Sequence, residues 1–306
     1  MTLAPILLFT YNRPWHLQQT INTLAKNEYA IESDLIIYSD AHKNEQSRKK
    51  VESIRQYIKT IRGFKSITVV EREKNMGLAN NIIEGVTAVV NKYGRVIVLE
   101  DDLESSPYML KYFNEALSYY ENEEKVMHIG AYMFPIDAGG LPETFFFRLA
   151  SSWGWATWKR AWQYFNPDIE MLHKQFDAEK IHAFSMEHTE NFWKIFQSFR
   201  ANKNSSWAIR WYASMFLRGG LALHPATSMV NNIGIDGSGI HSGASGMYKV
   251  TLATQAVTEF PSTVEENKIA YERIKYFFRH RKGNLFQRGI RFLRTKYKRI
   301  LLGSTL

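Results

Sequence analysis

Residues 96–102, Val-Ile-Val-Leu-Glu-Asp-Asp, constrain the fold of this chain more than any other stretch. Four β-favouring apolar residues, Val96 to Leu99, read as a buried strand, and the three carboxylates Glu100, Asp101 and Asp102 cannot remain inside it. The strand must end there, at the sheet edge where ligands of open α/β sheets bind. Consecutive carboxylates repel one another unless a cation or hydrogen-bond donors compensate them. One reading is a metal site, with hard oxygen ligands for Mn²⁺ or Mg²⁺ and a phosphate-bearing substrate beyond the ion. The other is an acidic strand-to-loop turn in which Asp102 caps a helix starting near Pro107.

The flanking sequence gives that strand its context. Pro5 to Thr10 reads as a buried strand that turns at Tyr11-Asn12-Arg13-Pro14, where Asn and Pro both favour turns. A helix is expected from Trp15 to about Asn27, with Leu17, Ile21 and Leu24 on one face. Asp34 to Asp40 is a second strand, 43–62 a surface helix, Ile67 to Arg72 a third strand, and Ala79 to Asn91 a helix after the loop holding Asn75, Met76 and Gly77. Four alternations of strand and helix argue right-handed βαβ units in a mostly parallel α/β sheet flanked by helices. The strands end in Thr10, Asp40, Arg72 and Glu100, so polar groups collect at one rim, where a nucleotide would sit. No Gly-x-Gly-x-x-Gly follows the first strand and no Walker loop is present, which removes the main support for dinucleotide or P-loop chemistry.

Beyond Asp102 an amphipathic helix is expected from Pro107 to about Asn122, then strands at Val126–Gly130 and Phe145–Leu149. Ser151 to Trp158 is aromatic and hinged on Gly154. Residues 168–204 read as helical, and another helix opens at Ser206. Asn231 to Gly246 is a long Gly-, Asn- and Ser-rich loop holding Asp236 and His241; such loops in compact domains are usually functional or mobile.

The 306 residues suffice for one large domain or two smaller ones, and no cysteine is present to build disulfides or thiolate metal sites. No signal peptide or bilayer-spanning run is read at the sequence level. The net charge of +9 is uneven: residues 268–299 hold twelve Lys and Arg against one acid, Glu272, a net +11 that leaves the remainder at −2. Apolar residues such as Phe286, Ile290, Leu293, Tyr297 and Ile300 recur at helical spacing among these cations. A basic amphipathic helix reads as a peripheral membrane contact, ahead of an ordinary solvated helix. Nucleic acid ranks last as a partner, because the body shows no basic patch or recognition motif.

Four blocks, taken in order, resemble the GT-A nucleotide-sugar glycosyltransferases. They are Phe9-Thr10-Tyr11-Asn12-Arg13-Pro14, Asn75-Met76-Gly77-Leu78-Ala79, Val98-Leu99-Glu100-Asp101-Asp102-Leu103-Glu104 with Pro107, and Trp153-Gly154-Trp155-Ala156-Thr157-Trp158. The chain is most similar to bacterial enzymes of surface-polysaccharide synthesis, and distantly to the N-acetylglucosaminyltransferase I type. The resemblance implies a glycosyltransferase domain over 1–250, with a nucleotide half (1–104) and an acceptor half (105–250), and a basic helical tail over 251–306. It implies that Thr10, Tyr11 and Arg13 hold the base and ribose of a nucleotide-diphosphate sugar, that Asp40 meets the base edge, and that Arg72 and Gly77 belong to the same donor rim. Asp101 would face the ribose or sugar, Asp102 would bind Mn²⁺ or Mg²⁺, and His241 would complete the metal or touch the diphosphate. Trp153 and Trp155 either stack on a sugar face or belong to the core.

One position departs from the pattern. Relatives usually carry Trp-Asp-x-x-Trp, whose Asp is the expected base that deprotonates the acceptor hydroxyl. This chain has Trp207-Ala208-Ile209-Arg210-Trp211, and alanine cannot accept a proton. The chain is either an engineered base-less variant, a naturally inactive one, or an enzyme whose base lies elsewhere, with Asp236 nearest in sequence. The first reading is favoured. The resemblance further implies inversion at the anomeric carbon, a glycan or lipid-linked glycan acceptor, and a place at the cytoplasmic membrane face. The alternatives are an inactive sugar-nucleotide-binding protein and a nucleotidyltransferase, although the latter would carry a Gly-rich basic loop where this chain has Thr10 to Arg13.

Overall fold

A computed structural model describes residues 2–236 and 246–281. It begins with four βα units. Strand β1 (Ile6–Thr10) leads to α1 (Pro14–Leu24), β2 (Asp34–Ser39) to α2 (Glu45–Ile58), β3 (Ser66–Glu71) to α3 (Gly77–Tyr93), and β4 (Arg95–Glu100) to a short β5 (Leu103–Ser105) and α4 (Met109–Tyr119). The second half contains β6 (Val126–Gly130), β7 (Thr144–Phe147), β8 (Trp155–Trp158), α5 (Lys159–Trp162), α6 (Ile169–His173), α7 (Ala178–Phe184), α8 (Phe192–Arg200), α9 (Trp207–Leu217), β9 (Leu221–Pro225), β10 (Val230–Asn232) and α10 (Lys268–His280).

Eight strands form one sheet in the order β3-β2-β1-β4-β8-β6-β9-β7, and β5 and β10 form a separate antiparallel ribbon. The first four strands are parallel, with Phe9 level with Tyr38 on one side and Glu100 on the other. Chain order reverses at β1, so the β1/β4 crevice is the switch point where doubly wound sheets take their ligands. The buried apolar runs of β1 and β4 are covered by Leu17 and Ile21 of α1 and by Ile82, Val86 and Val89 of α3. Helix α3 approaches so closely that a Cβ at Gly85 would collide with the Phe9 ring.

The aromatic Trp153–Trp158 segment is a strand rather than a hinge at its centre. Strand β8 runs antiparallel between β4 and β6, pairing Trp155 with Val98 and with Gly130. Gly154 enters it at φ +66°, with Leu99, Ala131 and Val230 side chains around the missing Cβ, so a larger residue there is both strained and crowded.

Residues on both sides of the expected division at 250 share one core. Residues beyond it pack on the body: Ala253 is buried, Glu266 bridges β7 at Phe146, and α10 buries Ala270, Tyr271, Ile274 and Phe278. Arg148 holds Glu266 through Nε at 2.9 Å and 3.1 Å and Nη2 at 2.5 Å. Glu187 accepts from the Tyr271 hydroxyl at 2.5 Å and pairs with Lys275, and Glu190 pairs with Arg281. Three consecutive left-handed residues, Met186, Glu187 and His188 (φ 51°, 49° and 60°), place Glu187 here and lead to Glu190, at a cost of about 1–2 kcal/mol each. The apolar face of α10 is thus used internally. The remaining tail stripe, Phe286 onward, lies outside the described residues. No helix among the described residues is long and apolar enough to cross a membrane.

Candidate active site

Strand β4 delivers the acids to the switch point, and the turn after β1 meets them there. Thr10 Oγ1 donates to Asp101 Oδ2 at 2.7 Å, and the Tyr11 backbone N–H donates to the same oxygen at 3.2 Å. Arg13 Nη1 donates to Asp102 Oδ2 at 2.7 Å. Two of the sequence blocks, about ninety residues apart, are therefore one site.

The carboxylates are shielded from water, and this sets their protonation. Burial, then the neighbouring Asp102 charge, raises the Asp101 pKa to about 7, against the donors Thr10 and Tyr11. Burial and the charges of Asp102 and Asp101 hold Glu100 well above the usual carboxylate range. Burial also raises Asp102, and Arg13 opposes the shift. One guanidinium compensates three acids incompletely. A divalent cation suits this donor set: the oxygens are hard, and both protein hydrogen bonds to Asp101 fall on Oδ2. Among the described residues no three such ligand side chains cluster.

Sequence reasoning missed His16, and the structure brings in Asp236. His16, buried on α1, lies with Nε2 2.9 Å from Arg13 Nη2 and 3.1 Å from Asp236 Oδ2. That nitrogen can accept from the guanidinium or donate to the carboxylate, not both. Burial and then Arg13 lower the His16 pKa, against Asp236. The signal available in sequence was the i, i+3 spacing of Arg13 and His16 at the start of α1. Asp236 also lies 3.6 Å from Arg13 Nη2, which puts it beside Arg13 and Asp102.

Asp40, the residue expected at the base edge, is engaged by the protein's own donors. Its Oδ1 accepts from the Ala41 and Met76 backbone N–H groups, both at 2.9 Å, and Oδ2 accepts from Asn75 Nδ2 and the Gly77 N–H, both at 3.0 Å. Four bonds fill the acceptor capacity of a carboxylate, and the residue is 4% exposed. Asp40 therefore ties the 75–77 turn to β2, and Gly77 serves through its N–H. Arg72 is likewise turned along α3, donating to Asn81 Oδ1 at 2.8 Å and Glu84 Oε2 at 2.9 Å.

Trp155 is corrected as a stacking candidate. It is 0% exposed, with its ring stacked on Trp207 at 5.2 Å and His128 at 5.3 Å, because its strand position points into the core. Trp153 is half-buried, edge-on to Tyr132 and Tyr248. Ala208 sits in the first turn of α9, half-buried, next to the Trp207 that packs on Trp155. Tyr11 is half-buried, and its hydroxyl accepts from the Lys43 N–H at 3.1 Å. His241 lies outside the described residues.

A mainly parallel sheet with buried acids at its switch point defines an α/β protein with a ligand-type crevice at the strand ends. Residues 6–193 match the family described as Glycosyl transferase family 2, and the chain belongs to that family. It is a nucleotide-sugar glycosyltransferase of GT-A type. No curated protein matches it in sequence. Among solved structures it is similar to the mannosyltransferase PcManGT from Pyrobaculum calidifontis in complex with GDP-Man and Mn²⁺, at 10% identity and TM-score 0.41, covering 70% of this chain and 69% of that one. It is also similar to S. aureus TarS 1-349, at 13% identity and TM-score 0.40, covering 74% of this chain and 59% of that one. The complex of TarS 1-349 with UDP-GlcNAc matches at 16% identity and TM-score 0.31, over 46% of this chain and 37% of that one.

Proposed function

We propose that the chain is a metal-dependent, inverting glycosyltransferase that takes a sugar from a nucleoside-diphosphate donor for a bacterial surface glycan. The observation that carries this is the meeting of Thr10, Tyr11 and Arg13 with Asp101 and Asp102 in the β1/β4 crevice. In this reading Thr10 and Tyr11 hold Asp101 against the ribose or sugar, and Asp102 holds Mn²⁺ or Mg²⁺. The bound cation would supply Lewis-acid neutralisation of the diphosphate leaving group. Arg13 lies on the same side and adds a permanent positive charge. Trp153 remains the aromatic candidate for the sugar face. Inversion rests on the family resemblance, and NMR of the product anomer tests it: retention would remove it.

A lipid-linked acceptor at the cytoplasmic membrane face fits the +11 segment and the outer face of α10, where Ile269 and Tyr276 are 56% and 65% exposed beside Lys268 and Arg273.

The reading is tested by thermal shift with UDP-, GDP- and dTDP-sugars, each with and without Mn²⁺. A ligand at a hundred times its Kd adds about 2.7 kcal/mol of stability, which a melting curve resolves. The expected result is a shift with one nucleotide class that grows with Mn²⁺ and is lost in Asp102→Asn. No shift with any donor defeats the proposal, and a shift indifferent to Mn²⁺ defeats its metal part.

A further inference from the structure

We propose that Arg13 is the resident cation of the donor site: it holds Asp102 and the turn at 234–236 together until a divalent cation takes Asp102 and displaces it. The inference rests on the metal reading above and extends it to the metal-free protein.

Arg13 is a hub. Its Nη1 donates to Asp102 Oδ2 at 2.7 Å, and its Nη2 donates to the Gly234 carbonyl at 3.3 Å and lies 2.9 Å from His16 Nε2 and 3.6 Å from Asp236 Oδ1. Both members of the Arg13–Asp102 pair are mostly buried, with side chains 17% and 16% exposed. A guanidinium so placed is permanently charged and presents its donors as a planar fork, so one side chain can satisfy several oxygens at once.

The turn after β10 is built around this pair. Ile233 N–H donates to the Asp102 carbonyl at 2.9 Å, and Gly234 N–H donates to Asn232 Oδ1 at 2.8 Å. The main chain at Gly234 comes so close that any Cβ there would collide with both the Asp102 carboxylate and Arg13 Nη1. The cradle thus fits the ion pair and leaves no room for a side chain above it.

A divalent ion on Asp102 Oδ2 would share one oxygen with the Arg13 guanidinium in a shielded site, where the two cations repel. In this proposal cation binding at that oxygen is an exchange. Arg13 leaves Asp102, and as it leaves, the Gly234 carbonyl and Asp236 lose their contacts with it. The charge compensation of the acids passes from an internal cation to an external one.

The test is Mn²⁺ binding to the donor-free protein, read by EPR of free Mn²⁺. Arg13→Ala removes the competitor, so its Kd for Mn²⁺ should fall about tenfold or more, the worth of one charge-assisted hydrogen bond. Arg13→Lys keeps the charge without the fork and should fall in between, which keeps the test usable if the alanine variant folds poorly. Hydrogen exchange gives an independent arm: Mn²⁺ should speed exchange at 233–236 in the unaltered protein and leave it unchanged in Arg13→Ala. Equal or weaker Mn²⁺ binding by both variants overturns the exchange while leaving the metal site standing. Tighter binding with no Mn²⁺ effect on 233–236 in the unaltered protein also overturns it, since Arg13 would then be only a background charge. Failure of all three proteins to bind Mn²⁺ overturns the metal reading itself.

Discussion

Asp40→Asn separates a carboxylate that builds the donor pocket from one that reads the nucleobase. The substitution keeps shape and removes one acceptor atom. In the native protein each carboxylate oxygen accepts two bonds, from Ala41 and Met76 N–H on one and from Asn75 Nδ2 and Gly77 N–H on the other. An asparagine can satisfy one pair and turns its NH₂ toward the other. Two charge-assisted hydrogen bonds are lost, each worth about 1.5–3 kcal/mol, so the ceiling is roughly 3–6 kcal/mol. Asn75, Met76 and Gly77 are only half-buried, so the turn can relax and let water reach the orphaned donors. The expected loss is about 2–4 kcal/mol, a large share of a typical folding stability. Guanidinium unfolding should show it as a lower midpoint at unchanged slope. Donor affinity should fall alike for uridine and guanosine nucleotides, because the damage is to the turn. A loss under about 1 kcal/mol together with a large drop in donor binding would refute the reasoning, since the carboxylate would then be held in reserve for ligand.

Asp101 gives a pH dependence. Its native pKa of about 7 lies above that of an unfolded aspartate, so the folded state binds the extra proton. Its contribution to stability is complete below about pH 4 and disappears as pH rises through about 7. Without divalent metal, Asp101→Asn should flatten the decline in unfolding midpoint between about pH 4 and 7; an identical slope in both proteins contradicts the assignment. Ala208→Asp should raise sugar transfer if position 208 is where the acceptor base belongs, and no gain in turnover rejects that placement. Removing residues 282–306, while keeping α10 because it packs on the body, should weaken sedimentation with anionic vesicles. Each basic residue near such a surface is worth about 1 kcal/mol. Unchanged vesicle binding would remove the tail as the membrane contact.

The βα alternation was legible because buried parallel strands write themselves as apolar runs, and because an acid at the end of such a run has to leave the sheet. Val96 to Asp102 gave both the strand and the site, and the structure ends β4 at Glu100 as the carboxylates require. The ribbon of β5 and β10 was not legible, since three residues such as Leu103–Ser105 carry no period to read. Nor was the docking of α10. The cations of 268–299 were visible, but they do not say whether a helix there faces lipid or protein, and Glu187 and Glu190 lie some ninety residues away.

The sequence alone placed three acids at the end of a buried apolar strand, because uncompensated carboxylates cannot continue inside it. Only the tertiary structure decided what each carboxylate does. Asp40 spends its four lone-pair sites on the 75–77 turn, Asp101 answers Thr10 and Tyr11, and Asp102 is held by Arg13 under Gly234. Those assignments depend on which donors come within about 3 Å, a length over which hydrogen bonds are made or lost, and one dimension of sequence does not fix it.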